Sequence, residues 1–183
     1  NLTAMKNNIQ TTPRCIRTFL LIILIISCSS IAHSQERMRA NLFIVDNNGT
    51  TLMDGNMTNY NNQYSNEVDG NDIWKMSNFG ENFGIIRTSA NLVIERRSLI
   101  AVNDTTYFRM WNMQLRNYRI QVIMENLHLF NLTAFVKDQY LNKEIPIDLN
   151  DTTNIDFTVT SQPGSYASNR FKLIYTNTIM GPL

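Results

Sequence analysis

Cysteine is almost missing from this chain of 183 residues, which holds only Cys15 and Cys28. Both lie ahead of Ser34, so everything after that point has no disulfide, no thiol nucleophile and no cysteine metal ligand. Glycine (7) and proline (4) are scarce as well, which excludes collagen-like and low-complexity linker sequences. Histidine is rarer still. His128 is the only one after Ser34, and one imidazole cannot assemble a His-rich zinc site or offer a choice of triad base. Lying in Leu127-His128-Leu129-Phe130, it reads as a structural residue at a strand end or partly buried. The chain has no Gly-x-Ser-x-Gly elbow, no phosphate loop ending in Gly-Lys-Ser/Thr and no Gly-x-Gly-x-x-Gly, so hydrolase and nucleotide-binding readings lose their usual support. An excess of one charge sign is lacking too: 16 Lys+Arg stand against 15 Asp+Glu. Charge alone therefore gives no case for nucleic acid as a partner.

One long apolar run is present, and only one. Lys6, Arg14 and Arg17 precede Phe19-Leu20-Leu21-Ile22-Ile23-Leu24-Ile25-Ile26, and small residues follow as far as Ile31-Ala32-His33-Ser34. A basic region, an apolar core and a small-x-small site make residues 5–34 a secretory signal peptide, cleaved after Ser34. The core is too short for the roughly 20 apolar residues that span a bilayer. Lipoprotein processing at Cys28 is disfavoured by Ile26 before Ser27, a poor fit to a lipobox. Residues 1–4 precede the first Met and read as upstream translation or as the edge of a fragment. Removing residues 1–34 leaves 149 residues with 13 bases, 15 acids and a formal charge of −2. The expected location is secreted or on the outer cell surface, with no membrane span after cleavage. A chain of that length buries about 70% of its unfolded surface, enough for one domain without staples.

Period-two alternation dominates what remains. Met38, Ala40, Leu42 and Ile44 alternate with Arg37, Arg39 and Asn41; Ile120, Val122 and Met124 alternate with Arg119, Gln121 and Glu125. Leu132–Val136, Ile155–Val159 and Phe171–Tyr175 repeat the pattern, and 73–79, 83–87, 92–96, 106–111 and 144–149 add further short strands. Asp46-Asn47-Asn48-Gly49, Asp54-Gly55-Asn56, Asp69-Gly70-Asn71, Asn103-Asp104, Asn150-Asp151 and Gln162-Pro163-Gly164 read as turns, because Asn, Asp and Gly tolerate positive φ. About ten strands without helices predict an all-β fold over residues 35–176, an antiparallel, jelly-roll-like β-sandwich. Residues 56–71 read as a long Asn-rich loop, and Trp74 and Trp111 as core.

Two clusters carry candidate chemistry. Glu67-Val68-Asp69-Gly70-Asn71-Asp72 is a tight turn rich in oxygen donors, and Asp69, Asn71 and Asp72 are the ligands expected for a structural calcium ion. Without the twelve-residue spacing of an EF-hand, the same residues also read as an Asx-turn between two strands. Sugar rings stack on aromatic faces beside amides, which makes Tyr60, Tyr64 and Asn82 candidate contacts for an extracellular glycan; a surface protein is the other partner class. Paired acids could instead serve a glycosidase, with Asp69, Asp72 or Glu81 as the pair, whereas Glu95 before Arg96-Arg97 reads as an ion pair. Asn-x-Ser/Thr sequons start at Asn1, Asn48, Asn56, Asn103, Asn131 and Asn150.

The ordered pieces Leu52-Met53-Asp54-Gly55, Tyr64-Ser65-Asn66, Val68-Asp69-Gly70-Asn71-Asp72, Lys75-Met76-Ser77-Asn78, Gly80-Glu81-Asn82 and Ile94-Glu95-Arg96-Arg97 resemble one known module, as do Tyr118-Arg119, Asp156–Val159 and Asn169–Tyr175. The module precedes the sorting domain in large secreted proteins of Gram-negative bacteria that use type IX secretion. The resemblance implies surface delivery or release, a proline-bearing linker, which residues 177–183 would begin, and a C-terminal sorting domain beyond it. It also implies O-glycans at Asp104-Thr105-Thr106 and Asp151-Thr152-Thr153, and it assigns no catalytic residue. Composition, pattern and resemblance together predict a non-catalytic, adhesin-like module that serves as spacer or binder. A small carbohydrate-active enzyme or carbohydrate-binding domain is the alternative.

Overall fold

The computed structural model describes residues 35–129 and 131–178, within a compact unit of 35–183. The expected signal peptide, both cysteines and residues 179–183 of the expected linker lie outside the described residues. Eleven strands form the fold: β1 (Glu36–Asp46), β2 (Gly49–Tyr60), β3 (Ile73–Trp74), β4 (Asn82–Arg87), β5 (Ala90–Arg97), β6 (Thr105–Trp111), β7 (Asn117–Glu125), β8 (Leu132–Asp138), β9 (Lys143–Ile147), β10 (Thr152–Thr158) and β11 (Phe171–Asn177). A 3₁₀ turn, Pro163–Tyr166, precedes β11. The fold is all-β, as the alternation requires. Among the described residues no helix is long and apolar enough to cross a membrane.

The strands form one sheet in the order β10-β7-β1-β2-β5-β4-β6-β11-β8-β9, with β3 beside β5. All pairings are antiparallel except β2 with β5, where Met57 to Tyr60 run parallel to Ile94 to Arg97. The sheet is therefore mixed, one step away from the purely antiparallel expectation. Its two outermost strands, β9 and β10, follow one another in sequence, and the Asp148 amide donates to Thr153 Oγ1 across their short connection. The sheet thus curls into a sandwich-like, nearly closed barrel.

Alternation decides which side chains fill it. Met38, Ala40 and Leu42, then Phe83 and Ile85, Phe108 and Met110, Tyr118, Ile120 and Val122, and Phe171, Leu173 and Tyr175 all point inward and are buried. Each buried side chain of this size contributes about 1.5–3 kcal/mol. Phe157 joins the layers by packing on Tyr118 and Phe171, with ring centroids 5.5 and 4.9 Å apart.

Residues 49–60 depart most from the sequence expectation. Asp54-Gly55-Asn56 reads as a turn, yet it lies inside β2. A bulge admits it: Leu42 faces Asp54 while Phe43 faces Leu52, which leaves Met53 as the extra residue. The Asp54 carboxylate accepts the Phe83 amide at 2.7 Å and the Lys75 ammonium at 2.8 Å, both out of solvent. A Cβ at Gly55 would lie 2.8 Å from the Asn41 amide oxygen, so a larger residue there would have to displace that side chain. Conversely, only Ile73 and Trp74 of 73–79 are strand. Asparagine does supply the positive-φ positions, at Asn103, Asn112, Asn126, Asn131 and Asn142, joined by Thr88.

Candidate ligand-binding face

The Asn-rich segment after β2 forms a cover over one end of the barrel. Val68 packs on the core, Arg87 donates to the Asn66 carbonyl, and Ser98 Oγ donates to the Asn66 side chain at 2.7 Å. Beneath this cover lies a polar cluster. Glu95 meets the Arg87 guanidinium at 2.7 Å and accepts the Thr58 hydroxyl at 3.0 Å. Burial pushes its carboxyl above the ordinary value, while Arg87 and Arg97 pull it back down. Glu95 is thus an ion-pair partner, as its sequence context implies, but inside the barrel rather than on a solvated face. Next to it the Tyr60 and Tyr175 hydroxyls are 3.3 Å apart, and burial raises the Tyr60 phenol to about 12.

These contacts fix the positions of the sequence-predicted site residues. Tyr60 offers no ring to a ligand, being 2% exposed. Asn82 is fully buried, and its amide holds the 78–82 turn together by accepting the Asn78 amide and donating to the Gly80 carbonyl, both at 2.6 Å. Tyr64 is half-buried, its hydroxyl 3.4 Å from the Gln35 amide nitrogen that donates to it. Tyr60, Tyr64 and Asn82 therefore do not form one open platform, because each serves a different local closure.

Asp69, Asn71 and Asp72 do come together, and they form an Asx-type turn. Asp69 Oδ1 accepts the Asn71 amide at 2.7 Å. Asp72 accepts the Asp69 amide at 3.0 Å and the Arg96 amide at 2.7 Å, one on each carboxylate oxygen. Among the described residues no three His, Cys, Asp or Glu side chains gather in a metal-binding cluster. Glu81 is elsewhere, buried against the Tyr118 hydroxyl at 2.9 Å with Arg116 at 3.6 Å. Desolvation, opposed by the Gln114 backbone N–H that donates to the phenol oxygen and reinforced by Glu81, raises the Tyr118 phenol to about 12. His128 is exposed, with its Nδ1 2.9 Å from Glu36, so it is neither buried nor beside other catalytic groups. Asn56, which starts the third sequon, is 5% exposed and faces inward with Thr58 and Tyr60.

The open chemistry is on the outer surface of β4, β6, β11 and β8. Phe108 and Met110 take the inward positions of β6, so Tyr107, Arg109 and Trp111 face out. Trp111 is therefore not core, and neither is Trp74, 61% exposed on β3. Tyr107 is 52% exposed and lies directly opposite Ile86 on one side and Lys172 on the other. Lys172 in turn faces Lys137 on β8. Arg109 lies 5.5 Å over the Trp111 ring and donates to the Asn91 amide oxygen at 2.9 Å. At about 3.3 Å per residue, Tyr107 and Trp111 stand about 13 Å apart, with Arg109 midway.

The 106–111 strand is legible in the sequence, but both of its faces carry large apolar residues, so alternation alone does not say which faces out. The pairing of Tyr107 with Lys172 across 65 positions is a product of topology. No family model, no curated protein and no solved structure matches the chain.

Proposed function

We propose that this protein is a non-catalytic, exported β-sandwich module of a surface or secreted adhesin-like protein, and that it binds extracellular glycan on the outer face of β4, β6 and β11. The observation carrying this reading is the outward Tyr107–Arg109–Trp111 series on a strand paired with β4 over Tyr107–Trp111 and with β11 over Thr105–Tyr107. An aromatic ring supplies a flat apolar platform with little entropy to lose, and a neighbouring donor bonds the hydroxyls at the rim of a sugar ring. The acids that could serve a glycosidase are occupied, Asp72 by two backbone amides and Glu81 by Tyr118. Signal-peptide export and the resemblance to modules of type IX-secreted proteins support the same compartment.

Titration of the purified protein against a glycan panel, followed by tryptophan fluorescence, tests the reading. A saturable change that is lost in Trp111→Ala and weakened in Tyr107→Ala is the expected result. No saturable change with any glycan would leave a spacer.

A further inference from the structure

Charge on the outer face is distributed in a way that folding alone does not explain. On the opposite side of the barrel the cations lie against carboxylates: Arg37 and Arg39 share Glu125, and Arg119 meets Asp156. That face is also knitted by amides, Asn41 to Gln121 and Gln121 to Asn154, each at 3.3 Å. The β4–β6–β11–β8 face differs. Across it the register runs Ile86, Tyr107, Lys172, Lys137, Glu144. Lys137 has Glu144 at 3.3 Å, but among the described residues Lys172 and Arg109 have no carboxylate within ion-pair distance. Two lysines directly opposite on adjacent strands repel one another at about 4.5–5.5 Å between Cβ atoms. Arg109 spends one donor group on a neutral amide and lies 5.5 Å over the Trp111 ring, which leaves it further N–H donors for a ligand.

We infer that this face takes an acidic glycan, a polysaccharide bearing carboxylate or sulfate groups, with the anion held between Arg109 and Lys172 and the sugar ring on Tyr107. The inference rests on the glycan-binding reading and specifies its chemistry. Cations unneutralised by the protein's own acids complement a ligand anion, and the guanidinium fork suits a two-oxygen group. Tyr107 lies between them, opposite Lys172 and two residues from Arg109, so a ring stacked on it presents its substituents to both.

The test compares three probes on the purified protein at low salt: polygalacturonate, dextran sulfate and neutral dextran. Binding to either acidic polymer at least about tenfold tighter than to dextran is expected, from the strength of charge-assisted hydrogen bonds, and it should weaken as salt rises. Preference between the two acidic polymers tells carboxylate from sulfate. Arg109→Gln and Lys172→Gln should each reduce acidic binding about tenfold or more and leave dextran unaffected. Lys172→Gln should also leave the unfolding midpoint unchanged or raise it, because it removes the repulsion with Lys137. Equal binding of all three polymers, undiminished in both variants, overturns the acidic specificity and leaves the glycan-binding reading intact. Binding of none overturns both. Acidic binding that survives both substitutions places the anion elsewhere and also refutes the inference.

Discussion

Arg170 and Asp138 form the most deeply buried ion pair, with side chains 1% and 3% exposed. The guanidinium meets both carboxylate oxygens, at 3.0 and 2.7 Å, and donates to the carbonyls of Thr158 and Ser165. Tyr140, Phe157 and Phe171 surround it at 4.8–5.0 Å. Removing one partner strands a charge in an apolar setting, so Asp138→Ala should cost about 3–5 kcal/mol in urea unfolding; a loss under 1 kcal/mol would contradict this. Glu95 makes a pH-dependent case. Its folded carboxyl holds a proton more tightly than an unfolded glutamate. The folded state therefore binds more protons just above the ordinary value of 4.5, and stability falls as pH rises from there through the raised value. Relative to Glu95→Gln, the wild type should lose stability as pH rises above 4.5; a pH-independent difference would refute the assignment. Such residues are legible only in part. Arg170 stands in a strand-start motif and Asp138 at a strand end, and nothing in either segment marks them as partners.

At the scale of elements, the sequence pattern recovers β1 and β4 to β11, because one buried face writes itself into the sequence. It fails for β2, where Asp54-Gly55-Asn56 has the local chemistry of a turn and the tertiary use of Asp54 decides otherwise. Turns hold strain that can be relieved. Thr88 has a φ of 54° in the β4–β5 hairpin, a conformation unfavourable for a β-branched residue. Thr88→Asn should raise stability by about 0.5–1 kcal/mol, and a drop in unfolding midpoint would count against it. Gly164 is tighter, since an added Cβ would lie 2.4 Å from the Tyr140 ring. Gly164→Ala should cost about 1–3 kcal/mol, and most of that cost should vanish in a Tyr140→Ala background. The Asp69–Asp72 turn already uses its carboxylates for backbone amides, so calcium and chelator should leave the thermal midpoint in place. A bound ion at 100 times its dissociation constant would add about 2.7 kcal/mol instead.

The described residues form a curled sheet whose two outer faces have different characters. One sets its arginines against its own carboxylates, Arg37 and Arg39 on Glu125 and Arg119 on Asp156, beside an amide ladder. The other combines Tyr107, Trp111, Arg109 and Lys172 on strands that the topology, not the sequence order, brings side by side. Strand content is readable from residues in a row; the face is readable only once β11 lies beside β6. Backbone amide chemical shifts of labelled protein, recorded while an acidic polysaccharide is added, test the central claim most directly. The account predicts saturable shifts concentrated at 84–86, 91, 107–111 and 172. Shifts confined to β10, β7, β1 and β2, or none at all, would contradict it.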